Sequence, residues 1–127
     1  MRPPHLISPE IVEAMKKYRK LGHLTGIFLL SSDGLTLVAD YENELDESLF
    51  AAMGASLASM ASTIADEAKL SEVKRVFIEA KNGGLIVLPV KDEFLLVATF
   101  PPTTRIGVAL YCLRRLKDII TESLSKL

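Results

Sequence analysis

Chemistry near neutral pH calls for a positioned base, an activated nucleophile, a metal cage or a phosphate cradle, and this chain offers few residues for any of them. It has two histidines, His5 and His23, and one cysteine, Cys112. A nucleophilic triad brings a Ser or Cys, a His base and an orienting acid together. His5 lies in a proline-bearing N-terminal stretch and His23 follows Gly22, a helix stop, so both read as solvated loop residues. Cys112 flanks the apolar stripe of a predicted helix and reads as a small core residue. A lone cysteine makes no internal disulfide, and two separated histidines make no zinc site. Gly83-Gly84 lacks the lysine and following helix of a phosphate loop, and between two predicted strands it reads as a hairpin. Asp40, Glu42, Glu44, Asp46 and Glu47 crowd one stretch, but their spacing fits no calcium loop, and they read as a solvated loop and helix start. Lys16, Lys17, Arg19 and Lys20, with Arg114, Arg115 and Lys117, read as solvated helix faces, the functional alternative being a modest patch for an acidic partner. The sequence thus predicts no catalytic, metal or cofactor site, and a protein that is not an enzyme.

The elements behind these residues belong to a globular chain. Its 127 residues are 49% hydrophobic and 24% charged, which predicts one domain over 1–127 with residues 1–7 as a flexible tail. A formal charge of −1 gives no general attraction to nucleic acid or to anionic membrane, and no basic-aromatic strip is present. The start of the chain has no apolar core of signal-peptide length, so a reduced, cytoplasmic setting is expected.

The stretch from Ser48 to Ala65, SLFAAMGASLASMASTIA, contains no charge and is flanked by acidic pairs. Leu49, Met53, Leu57, Met60 and Ile64 form one helical stripe, and Ala51, Ala55, Ala58, Ser62 and Ala65 form a second. At ~100° per residue the two lie on nearly opposite faces. A surface helix of a monomer shows charge on its outer face. Here one face covers the protein's own sheet and the other meets something else, with a second copy the first expectation. A membrane span fits poorly, because Ala, Ser and Gly dominate the run and acids bound it tightly.

Along the chain, Ser8-Pro9-Glu10 starts a helix and Ile7 and Val12 staple it. Strands follow at Gly26–Ser31 and Leu35–Tyr41 around a Ser32-Asp33-Gly34 turn, and Asp46 caps the central helix, with Leu45 and Phe50 as its staple. Three more strands are predicted at Val73–Lys81, Gly84–Val90 and Glu93–Phe100, and Thr103 or Thr104 caps a last helix running to Leu127. Continuous apolar runs in strands one, four and five make them central; charges in strands two and three make those the edges. The order 2-1-5-4-3 satisfies both. The expected fold is α+β: a three-layer α/β/α sandwich, element order α-β-β-α-β-β-β-α, on a mostly antiparallel five-stranded sheet.

This element order, with GIFLLSSDGLTLVAD in the first hairpin, the Ala-rich central helix, RVFIEAKNGGLIVLPVKDEFLLVA across strands three to five and TTRIGVALYCLRRLKDII at the end, resembles the roadblock family of dynein light chains, a profilin-like fold. The resemblance covers roughly residues 11–124. It implies a homodimer, or a pair with a paralogous roadblock subunit, with central helices packed together and third strands joined. Ala51, Ala55, Ala58, Ser62 and Ala65 would then form the helix seam, and Arg75, Val76, Phe77, Ile78 and Glu79 the strand seam. By the same resemblance the expected function is a non-enzymatic dimeric regulator or scaffold binding a Ras-like small GTPase, with stimulated GTP hydrolysis as the finer form. One alternative is a structural adaptor in a motor, trafficking or motility complex with no nucleotide-state preference; another is a small-molecule sensor.

Overall fold

The computed structural model describes residues 7–125. Of the tail expected over residues 1–7, residues 1–6, with His5, lie outside the described residues, as does the Leu127 end of the last helix, whereas Ile7 is half-buried against the core. Eight elements follow in the expected order: α1 (Pro9–Leu21), β1 (Gly26–Ser31), β2 (Thr36–Tyr41), α2 (Glu47–Glu67), β3 (Val76–Ala80), β4 (Gly83–Val90), β5 (Phe94–Phe100) and α3 (Ile106–Ser125). All strand pairs are antiparallel, and the sheet order is β2-β1-β5-β4-β3.

The two-residue period of the strands divides the core in two. Ile27 and Leu29 of β1, Ile86, Leu88 and Val90 of β4, and Phe94, Leu96, Ala98 and Phe100 of β5 point to one face. There they meet Ile11, Met15 and Tyr18 of α1 and Ala109, Leu113, Leu116 and Ile120 of α3. Phe28, Leu30, Val87, Leu95 and Val97 point to the other face, under α2. The central strands read as unbroken apolar runs because both of their faces are covered, whereas β2 is half-buried throughout and most of β3 is exposed.

Local chemistry sets the boundaries. The Ser8 hydroxyl accepts the Ile11 N–H, and the Asp46 carboxylate accepts the Leu49 N–H, as helix caps do. Gly34 takes φ +96° in the first hairpin, a conformation that strains any residue with a Cβ. α1 and α3 run antiparallel: the Ser8 and Ser123 hydroxyls are 3.2 Å apart at one end, and Thr104 Oγ1 donates to the His23 carbonyl at the other.

Three expectations are corrected. The third strand is Val76–Ala80 rather than Val73–Lys81, because Lys69 and Ser71 take left-handed conformations and the chain turns before it can pair. Neither Thr103 nor Thr104 caps α3. The Ala109 N–H bonds to the Arg105 carbonyl, so the helix starts one residue beyond the threonines, and the Thr104 hydroxyl is engaged with His23. The second hairpin turns on Lys81-Asn82, and Gly83 already pairs with Ala80. Gly83-Gly84, read as the hairpin, is instead a packing device: a Cβ on either would collide with Phe100, the residue β4 crosses at close range.

Candidate functional site

The residues that could have carried chemistry are dispersed or engaged. Cys112 is buried beneath α3, where desolvation pushes its thiol pKa up and away from reactivity. His23 is exposed at the start of the α1–β1 connection, with φ +54°. Among the described residues no three His, Cys, Asp or Glu side chains converge on a common point.

The acidic stretch has structural employment rather than simple solvation. Arg19 donates from Nε to Asp40 at 2.7 Å and from one terminal nitrogen to Glu42 at 2.6 Å and to the Leu24 carbonyl at 3.1 Å. The hydrogen bond to Asp40 chiefly raises the Arg19 pKa further. Tyr41 donates to Glu47, which raises the tyrosine pKa, and Asp46 caps α2. This network clamps the end of α1 to β2 and fixes where α2 begins.

The unusual surface is on α2. The helix is long and apolar enough to cross a membrane by composition, yet only one side of it packs on the sheet. Leu49, Met53, Met60 and Ile64 are between 57% and 62% exposed and face away from the sheet. The helix approaches through small residues: Ala51 is buried, Ala55 and Ala58 pack against the Phe28–Val97 cluster, and a Cβ on Gly54 would press on Leu30. Large side chains from the strands meet small ones from the helix, so the layer is thin.

That packing splits the expected helix seam. Ala51 is covered by the protein's own β1–β2 side, and Ala65 is buried where the Leu70 N–H returns to its carbonyl, so neither is available to a partner. Ala55, Ala58 and Ser62, with Ser59, instead line a groove of about 420 Å³ between α2 and the sheet, floored by Val76, Val87 and Leu95. The groove exists because α2 lies across one part of the sheet and leaves its β3 side open. Along β3 and just before it, Arg75, Phe77, Ile78 and Glu79 are exposed; Val76 is half-buried and lines the groove, whereas Phe77 stacks on Phe100 on the other sheet face. β3 pairs only with β4 and offers a second edge.

α2 therefore presents two different surfaces. Ala55, Ser59 and Ser62 face the groove, while Leu49, Met53, Met60 and Ile64 form a bulky stripe about 150° round the helix. The sequence signalled both stripes but not which one the sheet takes. The signal was the bulk of Phe28, Leu30, Leu95 and Val97, against which the middle of the helix sets mostly small residues, with Phe50 and Leu57 packing at its flanks.

The Roadblock/LC7 domain model matches residues 10–100. MglB of Myxococcus xanthus is similar in structure, with a TM-score of 0.89 at 18% identity over 94% of this chain and 98% of that one. Acanthamoeba castellanii profilin II gives a TM-score of 0.56 at 17% identity over 80% of this chain and 87% of its own. An uncharacterised protein, MJ0311 of Methanocaldococcus jannaschii, is 28% identical over 95 residues, 72% of this chain and 81% of that protein. With its strand order, its helix layers and most of its length in agreement, this chain belongs to the Roadblock/LC7 domain family.

Proposed function

We propose that this chain is a non-catalytic dimeric regulator or scaffold that binds a Ras-like small GTPase. The observation that carries it is the pair of unlike surfaces on one helix whose 48–65 stretch carries no charge. The groove of small residues, continuous with the open edge of β3, fits a second copy: backbones approach closely there, and the unpaired edge gains a ladder. The bulky outward stripe stays uncovered in such a pair. A twofold axis perpendicular to the sheet keeps both copies of α2 on the same side, which sets two stripes of Leu49, Met53, Met60 and Ile64 next to each other. The family to which the chain belongs, and its likeness to MglB, support a GTPase as the occupant of that double stripe.

Binding of a purified Ras-like GTPase, loaded with GTP or GDP, tests the reading. Tighter binding of one form, lost in Met60→Arg while the dimer persists, is the expected result. Equal affinity for both forms would leave a scaffold without regulation, because equal binding shifts no equilibrium. Stimulated hydrolysis is the finer proposal, and single-turnover GTP hydrolysis with and without the dimer checks it.

A further inference from the structure

A net charge of −1 is an average over faces of opposite sign. At the two ends of α2 the charges are mainly acidic, Glu44, Asp46, Glu47, Asp66 and Glu67, with Lys69 beyond its last turn and Lys91 at the groove. The layer on the other side of the sheet is different. Because α1 and α3 are antiparallel, Glu10, Glu13, Asp118 and Glu122 gather toward the end where Ser8 meets Ser123. Lys16, Lys17, Lys20, Arg105, Arg114 and Arg115 gather toward the other end, and all are exposed. Asp40 and Glu42 are acids at that end, and Arg19 pairs with both. Asp118 raises the Arg115 pKa only as a minor contributor, the main one being the hydrogen bond with Tyr18.

The basic end also carries apolar groups in the open. Leu21, Val108 and Tyr111 are exposed among these cations. A cleft of about 740 Å³ lies between the C-terminus of α1 and the start of α3, lined by Lys20, Leu21, His23, Arg105 and Val108. We infer that this basic end of the α1–α3 layer docks on an anionic membrane surface, with the cleft admitting a lipid headgroup and Leu21, Val108 and Tyr111 entering the interface. Two helices side by side make a broad face whose cations meet a planar surface together. Apolar and tyrosine side chains set between lysines and arginines suit the headgroup boundary, where long basic side chains reach phosphate while their stems stay in apolar surroundings. The inference does not depend on the α2 surfaces.

Flotation of the full chain with phosphatidylcholine vesicles, with and without about 30% phosphatidylserine, tests it. The expected result is binding only to the anionic vesicles, lost at about 0.5 M salt. Reversal of three exposed charges, Lys17→Glu, Lys20→Glu and Arg114→Glu together, should weaken binding at least about tenfold with an unchanged circular dichroism melt. Tyr111→Ser, which leaves every charge in place, should weaken it about threefold, and it serves if the charge reversal does not fold. Met60→Arg should bind vesicles as the parent does, which separates this face from α2. Absence of preference for anionic vesicles at low salt would overturn the inference. So would unchanged binding by both variants, or capture on polyglutamate beads without vesicle binding, which would make the partner an acidic protein.

Discussion

Lys69 holds φ +60° just past α2, in the position where a helix commonly ends on glycine, and a side chain there costs about 1 kcal/mol. Lys69→Gly should therefore raise the urea midpoint, by about 1 kcal/mol of stability at constant m-value; a fall would mean the lysine side chain makes a compensating contact. Arg19 is the opposite case. Its guanidinium serves Asp40, Glu42 and the Leu24 carbonyl at once, so Arg19→Ala should cost about 2 kcal/mol in the same measurement. Asp40→Asn should cost less, because Glu42 and the carbonyl remain. The difference between these residues is also a difference in legibility. Ser8, Asp46 and Gly34 act on neighbours three or four positions away, and their roles follow from local sequence. Arg19 meets Asp40 only because β2 returns beside the end of α1, and nothing within a few residues of either announces it.

At the scale of elements, α2 shows where reading a sequence by stripes stops. Helical periodicity separates large from small residues but assigns neither to the core, and that choice belongs to the sheet beneath. Strand composition had no such ambiguity: both faces of β1 and β5 are covered, so an unbroken apolar run has one meaning. Two substitutions on adjacent turns distinguish the surfaces. Ala58 packs against the Phe28–Val97 cluster as well as lining the groove, so Ala58→Arg should unfold the subunit, lowering stability by about 3 kcal/mol or more. Ser62 is exposed and reaches only the groove, so Ser62→Arg should leave the circular dichroism spectrum unchanged and yield a monomer in sedimentation equilibrium. A Ser62→Arg protein that still sediments as a dimer would move the self-interface off the groove.

For the molecule as a whole, the question is whether one subunit is a finished structure. Between the sheet and the α1–α3 layer it is: the core there is buried and the polar end groups are engaged, while Leu21, Val108 and Tyr111 are exposed on the outer side of the helices. The α2 side is not, with Leu49, Met53, Met60, Ile64 and Ile78 all exposed and one strand edge open. A stable pair would bury on the order of 1,600 Å² in all, more than a crystal contact and enough to couple folding to association. The thermal midpoint should then depend on concentration. A hundredfold rise in chain concentration should add about 2.7 kcal/mol per dimer. Spread over the unfolding entropy of two such subunits, that is an upward shift of about 5 °C. Ser62→Arg should flatten this dependence and Met60→Arg should keep it, since only Ser62 lines the groove. A midpoint independent of concentration in the parent chain would mean that each subunit is stable alone, and the groove and the β3 edge would then await a different protein rather than a second copy.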